Sequence, residues 1–175
     1  MKRLLGIPVA IAALVLCATV SMAASTGTSN VTLAASANSQ IQVLDAAVTL
    51  SPTSTDYDNG YVEITGASGI RVNVKTNSAG GVVLKVRCGD AAPQIALADL
   101  LVRTATAPGT GGTTMAAYTA ITAADQNLWS STVAVHGWTQ VNTDVRIQNI
   151  TNYDDPLGGG TTLYTNTLTY TVVSL

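Results

Sequence analysis

At residues 70–88 the chain reads IRVNVKTNSAGGVVLKVRC, and this stretch decides the fold. On both sides of the small polar run at 77–81, an apolar residue stands at every second position. A period of two puts one face of a β-strand against a core and the other in water, and a run with two glycines lets the chain reverse direction. The stretch therefore predicts two strands, at 70–76 and 82–88, joined as a hairpin.

Alternation of the same kind recurs on both sides of this stretch, divided by turn signals such as the Asp-Asn-Gly sequence at 58–60. Threonine and valine, which suit a pleated surface, are frequent in the alternating runs. Strands are predicted at 30–35, 40–50, 61–65, 70–76, 82–88, 96–103, 116–121, 132–136, 141–149 and 163–173.

Short helical turns are a second interpretation of two stretches, 93–101 and 123–128. Beyond the N-terminal apolar segment the sequence indicates no long helix, and many short strands without helices pack as two layers. The predicted fold is all-β: an antiparallel β-sandwich of the immunoglobulin-like or jelly-roll type, with about nine or ten strands, preceded by an N-terminal apolar leader.

The first 23 residues have the organisation of a secretory signal peptide. Lys2 and Arg3 form a basic start, and an uncharged apolar segment follows. Ser21 and Ala23 are the small residues expected just before a cleavage site. The segment therefore predicts a secreted protein, extracellular or at the cell surface, that meets a membrane only during export.

The chain divides on this basis into a signal peptide at 1–23, an N-terminal extension at 24–37 and a β-sandwich domain at 38–175. Two other processing routes use the same leader. One attaches lipid at Cys17. The other is a pilin-type cut after Gly6, which would retain the apolar segment as an assembly helix.

The composition excludes several classes of protein. Charged residues make up only 10% of the 175 residues, and the formal net charge is −2. A nucleic-acid-binding protein needs a basic surface, a coiled coil needs Glu, Lys and Leu in heptads, and a charged disordered chain needs high net charge. Cys88 is the only cysteine after residue 23. No disulfide can therefore form within the processed chain, and its place in an alternating row predicts a buried thiol.

Candidate catalytic and metal-binding residues are few. His136 is the single histidine and no nucleophile motif accompanies it, so we expect neither catalysis nor a cofactor. Asp56, Asp58 and Glu63 form the densest acidic group and are candidate calcium ligands. Gly60 falls one place early for a calcium-binding loop, however, and a polar turn is the favoured interpretation.

Two further features bear on an exported protein. Asn30 and Asn149 each begin an Asn-x-Thr sequence, the acceptor for N-linked glycosylation. Trp129 and Trp138 are candidates for a platform on which a sugar ring stacks, although aromatic residues in sandwiches more often pack in the core or at an edge.

The N-terminal extension has the pattern of a strand that lacks a partner. Val31, Leu33, Ala35 and Ala37 alternate with other, mostly polar, residues, and such a segment is too poor in large side chains to fold by itself. An extended segment can instead add to the sheet edge of a neighbouring subunit, where main-chain hydrogen bonds give affinity and alternate side chains fill pockets. These four residues are the predicted assembly contacts, and pairing within the chain's own sheet is the other interpretation.

Four segments together form a pattern seen in a known class of proteins: the leader at 1–23, the first strands through Leu50, IRVNVKTN at 70–77 and the closing GTTLYTNTLTYTV at 160–172. The pattern resembles secreted prokaryotic surface and fimbrial β-sandwich subunits, including spore-coat-U-like proteins and donor-strand pilins. The resemblance implies a sandwich fold and assembly by strand donation. Chaperone-assembled pilins usually carry a cysteine pair, which Cys88 alone cannot form, so the resemblance extends to fibres that need no disulfide.

We therefore expect a non-enzymatic structural subunit of an extracellular filament, pilus or surface coat. Its partners would be copies of itself, with no nucleic acid and no cofactor. Two alternatives remain open: a secreted module that binds carbohydrate or an adhesion partner, and a type IV pilin-like subunit that retains the N-terminal apolar helix.

Overall fold

The computed structural model describes residues 32–33, 36–107, 110–153 and 164–175. The chain divides after Ala34, and every described strand lies in the unit Ala35–Leu175. A one-and-a-half-turn helix, α1 (Ser54–Asn59), and two 3-10 turns, at Gly66–Ser68 and Ile150–Tyr153, join the strands. The strands are β1 Ser39–Val43, β2 Tyr61–Ile64, β3 Ile70–Thr76, β4 Val82–Cys88, β5 Leu100–Thr106, β6 Thr119–Ala120, β7 Gln126–Ser131, β8 Val135–Gln148 and β9 Leu168–Ser174.

These strands form two antiparallel sheets. The larger sheet runs in the order β1-β3-β8-β5-β6, and β2 also pairs with β8. The smaller sheet runs in the order β7-β4-β9. The 14-residue β8 organises the larger sheet, because β3 and then β2 pair along one of its edges while β5 pairs along the other.

The strands at 70–76 and 82–88 lie where the alternation predicts them, but the predicted hairpin between them is wrong. β3 pairs with β1 and β8, whereas β4 pairs with β7 and β9 in the other sheet. Both strands bury every second residue, so each can supply one wall of a core. The connection between them crosses from one sheet to the other, and Gly81 turns it with a φ of +93°.

Other boundaries differ from the sequence-based prediction. The stretch 123–128, one of the candidate helical turns, leads into β7, which is a strand. The strands predicted at 132–136 and 141–149 merge into the single strand β8, which begins only at Val135. The strand predicted at 40–50 ends at Val43, since the chain turns away there from the sheet edge.

The two sheets share one hydrophobic core. Val72, Val102 and Val141 face it from the larger sheet and are fully buried. Leu84 and Trp129 face it from the smaller sheet, and they are also buried. Burying such a side chain stabilises a fold by about 1.5–3 kcal/mol. The fold is therefore all-β with two antiparallel sheets, an arrangement consistent with a β-sandwich.

Cys88 is buried in this core, as its alternating position predicts. Among the helices of the described ranges, none has the length and apolar character needed to cross a membrane.

Candidate functional site

One edge of the smaller sheet, formed by β9, has no partner strand among the described residues. β9 pairs with β4 over its full length, from Leu168 opposite Cys88 to Ser174 opposite Val82, with no shift of register. Within the described part of the chain, the backbone of β9 pairs with no other strand. Its sequence, LTYTVVS, contains no charge and no proline. β9 therefore lacks charge, proline and bulge, three of the features by which natural edge strands avoid pairing with another chain.

The opposite edge of the same sheet is covered. The amide of Ser130 donates to the carbonyl of Thr113 at 2.9 Å, and the amide of Met115 donates to the carbonyl of Leu128 at 2.9 Å. Gly112 permits this approach, because a Cβ atom at that position would collide with the Ser130 carbonyl. The segment at 110–115 thus satisfies the edge of β7, while no described segment pairs with the outer edge of β9.

One edge strand of the larger sheet, β1, lies beside β9. β1 pairs only with β3 among the described strands. At one end the Ser39 hydroxyl of β1 lies 2.6 Å from the Ser174 hydroxyl of β9. β1 carries no charged residue either. Two uncharged edge strands, one from each sheet, therefore meet along one side of the domain.

Apolar side chains are exposed along these edges. Val173 points away from the core on β9 and is 41% exposed, and Val43 ends β1 in a similarly exposed position. On the inner side of β9, burial raises the pKa of Tyr170 to about 12. The Tyr170 hydroxyl is buried without a hydrogen-bond partner in the described residues. The edge thus combines exposed apolar groups with a partly buried tyrosine on the inner side of the strand.

The four predicted assembly residues lie at the boundary of the described chain. Val31 and Ala35 fall outside the described residues. Leu33 is 87% exposed, and Ala37 is also exposed. Their pairing with a neighbouring subunit remains a prediction.

Two of the three candidate calcium ligands, Asp56 and Glu63, pair with different partners. Asp56 accepts hydrogen bonds from the amide and the hydroxyl of Thr53, both at 2.7 Å, and these bonds lower the pKa of Asp56. Glu63 instead pairs with Arg146 at 2.6 Å, and Asp58 lies near the end of α1. In the described ranges no three acidic, histidine or cysteine side chains are grouped so that they could hold a metal ion.

Of the two predicted glycosylation residues, Asn30 lies outside the described residues and Asn149 has a structural role. Asn149 has a φ of 54°, a left-handed conformation that asparagine tolerates better than most residues. Its side-chain amide donates to the Asp99 carboxylate at 2.6 Å, and the Tyr153 hydroxyl donates to the same carboxylate at 2.8 Å. Asn149 therefore fixes the turn that follows β8.

A buried carboxylate on the outer face of the larger sheet was not singled out by the sequence patterns. Asp144 on β8 is 1% exposed. It accepts hydrogen bonds from the Gly66 amide at 2.7 Å and from the Arg103 guanidinium at 2.8 Å. The hydrogen bond to Asp144 raises the pKa of Arg103. Charged residues are few in this chain, and some of them stand at outward positions of strands. That placement was the signal in the sequence that could have pointed to Asp144.

Tyr118 lies between two arginines of this face. The Arg103 guanidinium lies 4.4 Å from the centre of its ring and the Arg146 guanidinium 4.0 Å, both suitable for cation–π attraction. Burial, followed by the neighbouring Glu63 carboxylate, raises the pKa of Tyr118 to about 12. Each arginine is also paired with a carboxylate, so the charges of the cluster cancel. Through Tyr118, the cluster holds the start of β6 against the larger sheet.

The two tryptophans have different environments. Trp129 is buried in the core and offers no surface for a sugar, whereas Trp138 is exposed on β8. His136, two residues before Trp138, is exposed as well.

Comparison of the chain with protein families, curated proteins and solved structures found no match. The resemblance to fimbrial and surface subunits therefore stays a prediction from the sequence pattern.

Proposed function

We propose that the protein is a secreted, non-enzymatic structural subunit of an extracellular filament, pilus or surface coat, and that its copies assemble by β-strand addition. The observation that carries the proposal is the open edge of β9, seven uncharged residues long and free of proline. The two-sheet arrangement supports an immunoglobulin-like or jelly-roll-type sandwich as the finer description of the domain.

The proposed donor is the N-terminal extension at 24–37 of a second copy. Its alternating Val31, Leu33, Ala35 and Ala37 would place small apolar side chains on one face of the added strand. Each added residue pair contributes main-chain hydrogen bonds that an exposed edge otherwise makes with water. Because the donor and the acceptor are different parts of the subunit, the contact is head-to-tail and does not need to close, which generates a filament.

Two variants of the exported protein test this contact, one in the donor segment and one in the acceptor strand. Deletion of residues 24–35 removes most of the donor but keeps Ser36, whose carbonyl accepts a hydrogen bond from Asn77. Val173→Lys places a charge on the acceptor edge at a position that faces away from the core. Negative-stain electron microscopy and sedimentation velocity should show filaments for the wild type and monomers for both variants.

The matched control is Val133→Lys, the same substitution at a 50% exposed position between β7 and β8. It adds the same charge to the subunit away from the open edge, and filaments should persist. A wild-type protein that stays monomeric at high concentration, or filaments of Val173→Lys as abundant as those of Val133→Lys, would refute the proposal.

A further inference from the structure

The outer face of the larger sheet carries a regular array of amide side chains. Gln42 on β1 lies opposite Asn73 on β3, and Asn73 lies opposite Gln140 on β8. These positions alternate with buried core residues such as Val72, so the three amides stand on the solvent side of the sheet. Adjacent strands lie about 4.8 Å apart, which spaces the three amides evenly in a row across the sheet.

A second row lies beside the first and contains an exposed indole. Gln40 on β1 lies opposite Lys75 on β3, and the Lys75 ammonium lies 4.5 Å from the centre of the Trp138 ring. Trp138 remains 46% exposed in spite of this contact. A large flat apolar ring is thus presented to solvent next to groups that form hydrogen bonds.

A cleft of about 280 Å³ opens beside this second row and shares Gln40 and Lys75 with it. Its lining is polar, and Lys75 is the only lysine, arginine or acidic residue among the lining residues. The lining residues are Asn38, Gln40, Lys75, Thr76, Asn77 and His136. The volume is near the lower end of the range for small-molecule sites, which begins at about 300 Å³.

The chemistry of this face fits an uncharged, hydroxyl-rich polymer. Each amide side chain both donates and accepts hydrogen bonds, as each sugar hydroxyl does. The exposed indole offers an apolar surface for the face of a sugar ring, and its N–H remains able to donate. One lysine supplies too little positive charge for a polyanion such as a nucleic acid, whose binding depends on neutralising several phosphates.

We propose that the outer face formed by β1, β3 and β8 binds an uncharged polysaccharide, with Trp138 as the stacking surface and Gln40, Gln42, Asn73 and Gln140 as hydrogen-bonding partners. The site lies on the solvent side of the larger sheet, whereas the proposed acceptor strand belongs to the smaller sheet. Val173 is not one of the proposed glycan contacts, so Val173→Lys should bind glycan as the wild type does.

Binding is tested with a panel of neutral glycans: insoluble cellulose and chitin in pull-downs, and soluble xylan, mannan, mixed-linkage β-glucan and dextran in affinity electrophoresis. The charged polysaccharides alginate and heparin are included for comparison. At least one neutral glycan should retain the full-length exported protein, and Trp138→Ala should weaken that retention about tenfold. Gln140→Ala should weaken it by a smaller factor.

The matched control is Tyr57→Ala, which removes another exposed aromatic side chain, on α1 and away from this face. It should bind as the wild type does. Tryptophan fluorescence gives a second readout, since Trp129 is buried and only Trp138 is accessible to acrylamide. A bound glycan should protect Trp138 from quenching.

Several results would overturn the proposal. They are retention by none of the neutral glycans, equal retention of Trp138→Ala and Tyr57→Ala, or stronger retention by heparin and alginate than by every neutral glycan. Circular dichroism of each variant separates loss of binding from loss of folding.

Discussion

At the scale of single residues, Asp144 is the most deeply buried of the ion-paired side chains. It lies on the outward face of β8, yet it is buried because the Gly66 turn and the Arg103 side chain cover it. Removal of either partner of a buried, hydrogen-bonded charge leaves the other partner unsatisfied, which costs far more than removal of an exposed ion pair. Asp144 therefore fixes β5 and the Gly66 turn to β8.

Substitution of Asp144 by alanine should lower the free energy of unfolding by about 2–3 kcal/mol, because Arg103 and the Gly66 amide lose their acceptor. Glu63→Ala is the matched control, since it breaks a more exposed ion pair to Arg146 on the same face. We expect that change to cost about 0–1 kcal/mol. Urea unfolding followed by circular dichroism measures both values, and equal losses would contradict the role assigned to Asp144.

At the scale of elements, the two outer strands of the smaller sheet differ in how their edges are covered. The segment at 110–115 covers β7, while β9 is left open, although both strands flank the same central strand β4. The end of β1 is also fixed by a specific contact. Just after β1 ends, Asp45 accepts hydrogen bonds from the Arg71 amide at 2.8 Å and from its guanidinium. This contact holds the segment that follows β1 against β3.

The contact between Asp45 and Arg71 should make the stability of the fold depend on pH in the acid range. Hydrogen bonds from the Arg71 side chain and then from its amide lower the pKa of Asp45 from 3.8 to about 2. Because the folded-state pKa is the lower one, the stabilisation is fully present above about pH 4 and is lost as the pH falls towards 2. The difference in melting temperature between wild type and Asp45→Asn should therefore be largest above pH 4 and shrink towards pH 2.

An Arg71→Gln background provides the control for this prediction. There the Asp45 carboxylate has lost its charged partner but keeps the hydrogen bond from the main-chain amide at position 71, so Asp45→Asn should produce a smaller pH-dependent difference. A difference that stays constant from pH 5 to pH 2 in the wild-type background would mean that the contact does not shift the titration of Asp45.

At the scale of the whole molecule, one core joins the two sheets. Residues of β3 and β8 pack against residues of β4 and β7, and the chain crosses between the sheets directly after β3. Cys88, at the end of the central strand of the smaller sheet, is part of this core. Exposure of its thiol therefore requires the sheets to separate.

In a chain that begins at residue 24, Cys88 is the only thiol. Its reaction with a disulfide reagent should be at least about a thousandfold slower in the native protein than in guanidinium, because opening a core of ordinary stability costs about 5 kcal/mol or more. Absorbance at 412 nm after mixing with Ellman's reagent measures the rate. Cys88→Ala combined with Val133→Cys is the control, because that thiol is exposed and should react at once. A fast native reaction of Cys88 would show that the sheets open locally.

The amount of strand, and the face that each strand buries, follow from the sequence by itself. In β3 and β4 the buried and exposed residues alternate as the apolar pattern predicts, because the direction of a side chain is a local property with a period of two. The same local rule predicted the burial of Cys88. It could not distinguish Trp129 from Trp138, since both lie within strands and only packing decides which one is covered.

Strand pairing and the open edge were decided only by the tertiary structure. A hairpin and a crossing between sheets satisfy the pattern at 70–88 equally well, and the partners of β3 and β4 are the distant strands β8 and β9. Likewise, nothing local marks β7 as covered and β9 as open, because the covering segment at 110–115 reaches β7 through long-range hydrogen bonds. Alternation is set by each residue's neighbours along the chain, whereas pairing is set by which surfaces the complete core brings together.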